Sequence, residues 1–302
     1  MLLSVGMQRA LLTQSTTNVP LNGRADISNY MTQGFVSQEG AGDGASHTLS
    51  YAYDDFLLGG LSELVGDAAA ASEAFVRAKN YRNIWSNESR IFCGKHLDGS
   101  LECPKNPASL QSFDLYREGD ALHWAFFVPH DVPGLIALHP SPQDFQAALS
   151  DFMDQHVPFT EKYGNAVPNF YYWAGNEHNH LSPYLFSYVP QGCVQTQYWS
   201  RQLTYMHFAN TPQGVPGNED YGAMGSWLLF TSLGLFPLAG TSTFFLTSPR
   251  VSQASLLLNR WSEGGRAATS TLNIITYNNS KENIYVQKVL VNGVEYSSPF
   301  IE

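Results

Sequence analysis

The sequence has little charge, few basic residues and no long apolar run. Only 14% of its 302 residues are charged, and 16 Lys and Arg against 26 Asp and Glu give a formal net charge of −10. Because binding to a phosphate backbone needs a basic face, this composition argues against nucleic acid as a partner. No stretch approaches the roughly 20 consecutive apolar residues of a transmembrane helix, so we expect no membrane span.

Cysteines are also scarce, since the chain has only three. Two of them, Cys93 and Cys103, bracket "CGKHLDGSLEC", in which Asp98-Gly99 favours a turn. Such a turn brings the two sulfurs together, so this pair is a candidate disulfide.

Two sequons suggest a secretory route. They begin at Asn87 ("NES") and at Asn278 ("NNS"), and both are candidate glycosylation sites. The opening "MLLSVGMQRALL" lacks the apolar core and the small-residue cleavage site of a signal peptide. We therefore expect a secreted or secretory-pathway location for a full-length parent, with no signal peptide in this chain.

Apolar periodicity predicts helices up to about residue 240, after an irregular start of about 45 residues. In "TLSYAYDDFLLGGLSELVGD", apolar residues recur at three- and four-residue steps, and Gly66-Asp67 separates this helix from the next. Further helices are predicted over residues 118–127, 142–156, 182–188, 196–208 and 222–235. Beyond Pro237 the sequence predicts short strands and a final hairpin about Asn292-Gly293.

The first of four polar clusters is "YREGDALHW", where Glu118 lies among Tyr116, His123 and Trp124. A carboxyl group against aromatic rings tends to keep its proton because desolvation raises its pKa, and a general acid needs that proton. The alternative is a glutamate at a helix N-terminus that interacts with the helix dipole. Taken alone, this stretch favours the alternative.

Two further clusters lie in loops. In "FVPHDVPGL", His130 is a candidate base, whereas Asp131 is better suited to a cap or turn. In "YYWAGNEHNHLSPY", Asn176, Glu177 and His178 follow three aromatic residues. No second ligand pair at zinc spacing exists, so this cluster fits a sugar site or a hard cation better than zinc. A hydrogen-bonded polar loop is the competing interpretation.

The fourth cluster is "VPGNEDYGAMGSW", which places Asn218, Glu219 and Asp220 directly before a predicted helix. Asp220 is suited to capping that helix. However, Gly217 and Gly222 on either side let the backbone approach a ligand closely, which a cap does not require.

Together and in this order, the clusters resemble glycoside hydrolase family 92, the calcium-dependent exo-acting α-mannosidases. The segments that carry the resemblance include "SHTLSYAYDDF", "YREGDALHW", "FVPHDVPGLI", "GNEHNHLSPYLFSY" and "VPGNEDYGAMGSWLLFTSLGLFPLAGTSTFFLTSP". The resemblance implies an N-terminal β-sandwich followed by an (α/α)6 barrel. It also implies an inverting hydrolysis in which Ca²⁺ helps to bind and distort the terminal mannose.

The resemblance implies roles for individual residues. Glu118 resembles the general acid and Asp220 the general base that activates water, with Glu219 as the second candidate base. In an inverting glycosidase these two carboxyl groups stand about 6.5–9.5 Å apart. The candidate substrate-binding residues are Asn176, Glu177, His178, Trp124, His130 and Asp131, and the candidate calcium ligands are Asp220, Asn218 and Asn176. His123 and His178 depart from the family pattern, which has Gln and Pro at these positions.

The sequence therefore predicts a mainly α chain. Residues 1–240 are expected to form the C-terminal part of an (α/α)6 toroid catalytic domain, and residues 241–302 a small antiparallel β unit packed on it. The N-terminal β-sandwich and about half of the helices of the ring are missing. The expected function is calcium-assisted, inverting removal of terminal α-linked mannose from oligosaccharides or glycoprotein N-glycans. The alternatives are an inactive fragment or carbohydrate-binding remnant, and a calcium-independent inverting α/α-toroid glycosidase.

Overall fold

The structure is a computed structural model that describes residues 23–109, 115–261 and 267–302. The opening residues discussed above for a signal peptide lie outside these ranges. The chain divides into two compact units, residues 1–182 and 183–302. The domain boundary expected at residue 240 stays a prediction. Within the described ranges, no helix combines the length and the apolar character needed to cross a membrane.

Unit 1 consists mainly of helices and long loops. Its α-helices are α1 (Ile27–Gln33), α2 (Gly44–Leu64), α3 (Ala68–Arg77), α4 (Ala121–Trp124), α5 (Val132–Ile136) and α6 (Pro142–Tyr163). Short 3₁₀ helices span Asn80–Ile84 and Glu177–Asn179. Four two-residue strands form two antiparallel pairs, β1 (Trp85–Ser86) with β2 (Ile91–Phe92) and β3 (Gly94–Lys95) with β4 (Leu101–Glu102).

A buried ion cluster joins the first three helices of unit 1. Asp55 on α2 is fully buried and accepts hydrogen bonds from Arg24 Nη1 (3.0 Å), Arg77 Nε (3.1 Å) and the Tyr30 hydroxyl (3.0 Å). A buried carboxylate is tolerated when such partners compensate its charge. The α2–α3 hairpin itself forms as the apolar pattern predicted, and the Asp67 side chain caps α3.

Three regions of unit 1 differ from the sequence prediction. The helix expected over residues 118–127 is only α4, because Asp120 caps the helix and Glu118 has a non-helical φ of +49°. Helix α6 runs past the expected end at residue 156, even though Pro158 lacks the N–H for one backbone bond. Helix α1 lies within the first 45 residues, which were expected to be irregular.

Unit 2 combines two helices with short antiparallel sheets. Its elements are a 3₁₀ helix (Ser182–Tyr188, which starts at the last residue of unit 1), α7 (Cys193–Met206), α8 (Ala223–Leu233), β5 (Leu235–Pro237), β6 (Phe244–Leu246), β7 (Gln253–Trp261), β8 (Ala267–Ile275), β9 (Val289–Val291), β10 (Val294–Tyr296) and β11 (Phe300–Ile301). The strands pair in the orders β11-β6-β5, β7-β8 and β10-β9.

The centre of unit 2 is aromatic. Phe245 on β6 is fully buried, and its ring centroid lies 5.5 Å from that of Tyr184 and 5.3 Å from that of Phe300. The β9–β10 hairpin turns at Asn292-Gly293, where φ is 52° and 82°, as expected for a primed turn. The coarse prediction of a mainly helical chain followed by small antiparallel sheets is confirmed.

Candidate active site

Glu118 lies on an exposed turn just before α4. Its φ of +49° falls in the left-handed region, which residues with a side chain rarely adopt. Asp120, rather than Glu118, is the N-cap of α4, so Glu118 does not have the helix-terminus role considered above. The sequence predicted that aromatic neighbours desolvate Glu118. Within unit 1 they do not, because Tyr116 and Trp124 are buried while Glu118 is exposed.

Side chains hold the backbone on both sides of Glu118. Dedicated support of this kind is typical of residues whose position matters for catalysis or binding. The four bonds run from Arg117 N–H to Ser46 Oγ (2.8 Å), from Trp124 Nε1–H to the Arg117 carbonyl (2.9 Å), from Asn176 Nδ2–H to the Glu118 carbonyl (2.7 Å) and from Asp120 N–H to His123 Nδ1 (3.2 Å).

Asp120 and His123 form a buried pair behind this turn. Asp120 Oδ1 accepts from the backbone N–H groups of Leu122 (2.9 Å) and His123 (3.1 Å), and Oδ2 has no hydrogen-bond partner among the described residues. Burial raises the pKa of Asp120 to about 7. His123 Nδ1 accepts the hydrogen bond from the Asp120 N–H, so Nε2 carries the ring hydrogen and donates to the carbonyls of Asn169 (2.7 Å) and Tyr171 (2.8 Å). Burial lowers the pKa of His123 to about 4, which keeps the ring neutral.

The "GNEHNH" loop is bonded to the "YREGDALHW" segment through two asparagines. Asn176 donates to the Glu118 carbonyl, as described, and Asn179 Nδ2–H donates to the His123 carbonyl (2.9 Å). Asn179 Oδ1 also accepts from Trp173 N–H (3.0 Å), and its side chain is fully buried. Asn179 was not among the sequence candidates, since a contact over 56 residues leaves no local signal in the sequence.

His178 is packed inside unit 1. Its ring stacks on Trp124 with centroids 4.6 Å apart and planes 14° apart, and it lies 5.7 Å from the His123 ring. The two histidines that depart from the family pattern are therefore neighbours. Burial lowers the pKa of His178 well below its usual value, and Nε2 has no hydrogen-bond partner within the described part of the chain. Glu177, in contrast, is exposed.

His130 and Asp131 make the contacts of structural residues. Asp131 caps α5 and accepts from the Tyr81 hydroxyl (2.7 Å) and Arg82 Nη2 (3.1 Å), which is the cap role weighed above. His130 Nε2 donates to the Ala78 carbonyl (2.7 Å), and burial lowers the pKa of its ring. A role in substrate binding stays a prediction for both.

The "GNED" segment in unit 2 has an unusual backbone. Glu219, Asp220, Tyr221 and Gly222 all have positive φ, at 64°, 39°, 56° and 89°. Each of the three non-glycine residues is strained by about 1–2 kcal/mol in this conformation. Strain of this kind persists only where the surroundings fix it, and it clusters at functional sites. Gly222 is the N-cap of α8 and no side chain caps it, so Asp220 does not have the capping role considered above.

The two acids of this segment differ in their surroundings. Glu219 Oε1 accepts from Gly225 N–H (3.2 Å) in the first turn of α8, and a Cβ at position 225 would lie only 2.8 Å from that oxygen. The Asp220 carboxylate is partly exposed and has no hydrogen bond within the described part of the chain. The adjacent Tyr221 ring is fully exposed. Tyr221 was not among the sequence candidates, although it directly follows two acidic residues. Asp220 is therefore the more accessible of the two acids.

The candidate disulfide and the two candidate glycosylation sites lie outside the four polar clusters in the sequence. A disulfide joins Cys93 and Cys103 across the β3–β4 pair, where Gly99 turns at a φ of 88°. Asn87 and Asn278 are exposed, so both sequons are accessible, and their glycosylation stays a prediction.

Known proteins with similar sequence and structure are glycosidases. An uncharacterized secreted glycosidase of Arthroderma benhamiae is 25% identical over 93% of this chain and 37% of its own length. The alpha-mannosidase BT3965 of Bacteroides thetaiotaomicron is 25% identical with a TM-score of 0.77, over 93% of this chain and 35% of that one. The inverting mannosidase BT2199 of the same organism has a TM-score of 0.82 at 22% identity, over 99% of this chain and 40% of that one, and this likeness shows the fold.

The chain therefore spans well under half the length of these relatives. Residues 5–302 match the family model described as the glycosyl hydrolase family 92 catalytic domain. Since that match covers nearly the whole chain, the chain belongs to glycoside hydrolase family 92.

Proposed function

We propose that this chain carries both catalytic carboxyl groups of an inverting α-mannosidase, within the C-terminal part of an (α/α)6 catalytic domain. The main observation behind this proposal is that side chains from several segments of unit 1 hold the strained backbone of Glu118 in place. The substrates would be terminal α-linked mannose residues of oligosaccharides or glycoprotein N-glycans. The parent protein would act in the secretory pathway or outside the cell.

In this proposal Glu118 is the general acid. Its protonated carboxyl group donates a proton to the glycosidic oxygen as the bond to the anomeric carbon breaks. The exposed side chain on a fixed turn suits this task, because the proton must meet an incoming sugar while the carboxyl group holds its direction. Exposed Glu177 is the remaining accessible candidate on the neighbouring loop for contact with the sugar beyond the cleaved bond.

Asp220 is the proposed general base. Its ionised carboxylate takes a proton from water as the water oxygen attacks the anomeric carbon from the face opposite the leaving group, which inverts the configuration. The absence of a hydrogen bond to this carboxylate within the described residues leaves it free to bind water. Glu219 is the second candidate, and its bond to Gly225 N–H makes it less available.

Calcium is the metal that the family resemblance implies. Among the described residues, no group of three or more His, Cys, Asp and Glu side chains is placed to hold a metal. The "GNED" segment nevertheless fits a hard cation in its chemistry, since Asn218, Glu219 and Asp220 each offer side-chain oxygen atoms and Glu219 Oε2 is buried without a partner in the described ranges. We propose Asn218 and Asp220, both in unit 2, as ligands. A bound Ca²⁺ would favour a distorted sugar ring by binding its hydroxyls.

The test uses the full-length protein that carries this chain, with terminal α-mannosides as substrates. We expect Glu118→Gln and Asp220→Asn to lower kcat by about 100-fold or more, as for the loss of a general acid or base. The first product should be β-mannose by NMR, and chelation of calcium should lower the rate. Glu161→Gln, on an exposed position of α6, is the matched control and should leave the rate unchanged. Normal turnover in either catalytic variant would sink the assignment.

One observation favours the alternative of an inactive or sugar-binding piece when the 302 residues act alone. The α2–α3 hairpin exposes apolar side chains, with Leu64 84% exposed and Val76 68% exposed. Exposed apolar patches of this kind are typical of surfaces that another part of a protein covers. Assaying residues 1–302 alone and within the full-length protein separates the two functions. A rate that persists without calcium would instead favour the calcium-independent toroid glycosidase.

A further inference from the structure

The side-chain amide of Asn176 has a defined orientation. Its Nδ2–H donates to the Glu118 carbonyl at 2.7 Å, and its Oδ1 accepts from Glu177 N–H at 3.1 Å. A carbonyl only accepts and a backbone N–H only donates, so the two partners fix which end of the amide points to Glu118. Asn176 is also buried, so this amide belongs to the interior of unit 1.

The bond from Asn176 acts on the strained residue itself. Glu118 has a φ of +49°, and the Asn176 amide fixes the peptide plane that follows it. Together these two features set the direction in which the Glu118 side chain leaves the backbone. A conformation of this kind relaxes when the bonds that hold it are lost.

We infer that Asn176 is a positioning residue for Glu118, which holds the general acid in place through its backbone. The inference rests on the proposed function of Glu118. It differs from the sugar-contacting and calcium-binding roles that the resemblance implies for Asn176. The three other side-chain bonds named above for this turn involve Trp124, His123 and Ser46, whereas the bond from Asn176 is made to residue 118 itself.

A structural test uses the full-length protein and needs no activity. Hydrogen exchange measured by mass spectrometry should show faster exchange over residues 115–124 in Asn176→Ala, by about fivefold for the loss of one buried hydrogen bond. Asn176→Asp keeps the shape but replaces the donor with a carboxylate that faces the Glu118 carbonyl, so its effect should be larger. Unchanged exchange over residues 115–124 in both variants would overturn the inference.

Asn83→Ala is the matched control. Asn83 Nδ2–H donates at 2.9 Å to the carbonyl of Gly34, which also has a left-handed backbone, with a φ of 77°. Loss of this bond should speed exchange near Gly34 and leave residues 115–124 unchanged. A variant that loosened both regions would indicate general destabilisation of unit 1 and would also count against the inference.

A kinetic test uses the full-length protein and two aryl α-mannosides. One has a phenol leaving group, which needs protonation, and the other has dinitrophenol, which leaves without it. Asn176→Ala should lower kcat on the phenyl substrate by about 10- to 100-fold, as expected for a misplaced catalytic group, with KM unchanged. Its rate on the dinitrophenyl substrate should stay near that of the wild type. Glu118→Gln should show the same dependence on the leaving group.

The outcomes separate the two proposals. If Glu118→Gln shows no dependence on the leaving group, the proposed function of Glu118 fails. If the rate of Glu118→Gln depends on the leaving group but Asn176→Ala instead raises KM equally for both substrates, Asn176 contacts the sugar. The positioning role is then refuted.

Discussion

The substitution Asp120→Asn should change how the stability of unit 1 depends on pH. Asp120 is fully buried, and its pKa rises from 3.8 in the unfolded chain to about 7 in the folded one. Below pH 3.8 both states are protonated, so the group has no effect on stability. Between pH 3.8 and 7 the unfolded chain releases the proton and the folded chain keeps it, so the wild type loses stability as pH rises. The total loss is about 4 kcal/mol, at roughly 1.4 kcal/mol per pH unit.

Asn at position 120 does not ionise, so the variant escapes this loss. The Asn oxygen can still accept from the N–H groups of Leu122 and His123, as Asp120 Oδ1 does. The Asn NH₂ group, however, takes the place of Oδ2, which has no partner among the described residues. That change costs about 1–3 kcal/mol at every pH. The informative quantity is therefore the slope with pH of the stability difference between the variant and the wild type.

The assay is urea unfolding followed by tryptophan fluorescence at several pH values from 4 to 8. The stability of the variant relative to the wild type should rise steadily up to about pH 7 and then level off. Asp67→Asn, at an exposed cap on α3, controls for the loss of a capping carboxylate. A flat difference for Asp120→Asn across this range would refute the reasoning that burial keeps Asp120 protonated.

Three further predictions concern the rest of unit 1. Burial lowers the pKa of His123 and His156 to about 4, so as pH falls below 6.5 only the unfolded chain gains these protons. In the Asp120→Asn background, urea unfolding should show stability falling from pH 6.5 to 4, by up to about 3 kcal/mol for each histidine. Gly119→Ala should lower the urea midpoint by an amount equivalent to about 1–3 kcal/mol, because a Cβ there would lie 2.9 Å from His123 Nδ1 and 3.0 Å from His178 Nε2. Leu64→Lys should reduce dye binding and aggregation of the 302-residue chain, because that side chain is 84% exposed; unchanged aggregation would contradict this.

Local sequence signals predicted the regular elements of this chain. The α2–α3 hairpin follows its apolar periodicity, and the last hairpin turns at Asn292-Gly293, because both features depend on neighbouring residues. The extent of helices was predicted less well. Gly119-Asp120 is a start signal for α4, but the apolar pattern over residues 118–127 led to a longer predicted helix. Pro158, in turn, did not end α6. In both cases a local stop or start signal competed with a longer periodic pattern.

The candidate site was predictable by residue type but not by conformation. Glu, Asp and Tyr rarely have positive φ, so nothing in "GNEDYG" predicts three such residues in a row. Likewise, the bond between Asn176 and Glu118 spans 58 residues, and only the tertiary structure brings these partners together. The resemblance to a family supplied candidate roles, whereas the geometry indicates which side chains hold the Glu118 turn and which candidate residues remain accessible.

Positive φ alone does not mark a functional residue in this chain. Arg90 also has a left-handed backbone, at a φ of 54°, and it lies in a turn closed by its own backbone bond to the Ser86 carbonyl (2.7 Å). The backbone of that turn is closed by local bonds, as expected for a connection between two short strands. The Glu118 turn also has local bonds from Trp124 and His123, but two of its bonds come from side chains far away in the sequence, Ser46 and Asn176. Since ordering side chains from distant segments costs conformational entropy, a turn held in this way is expected where the direction of one exposed side chain must be kept.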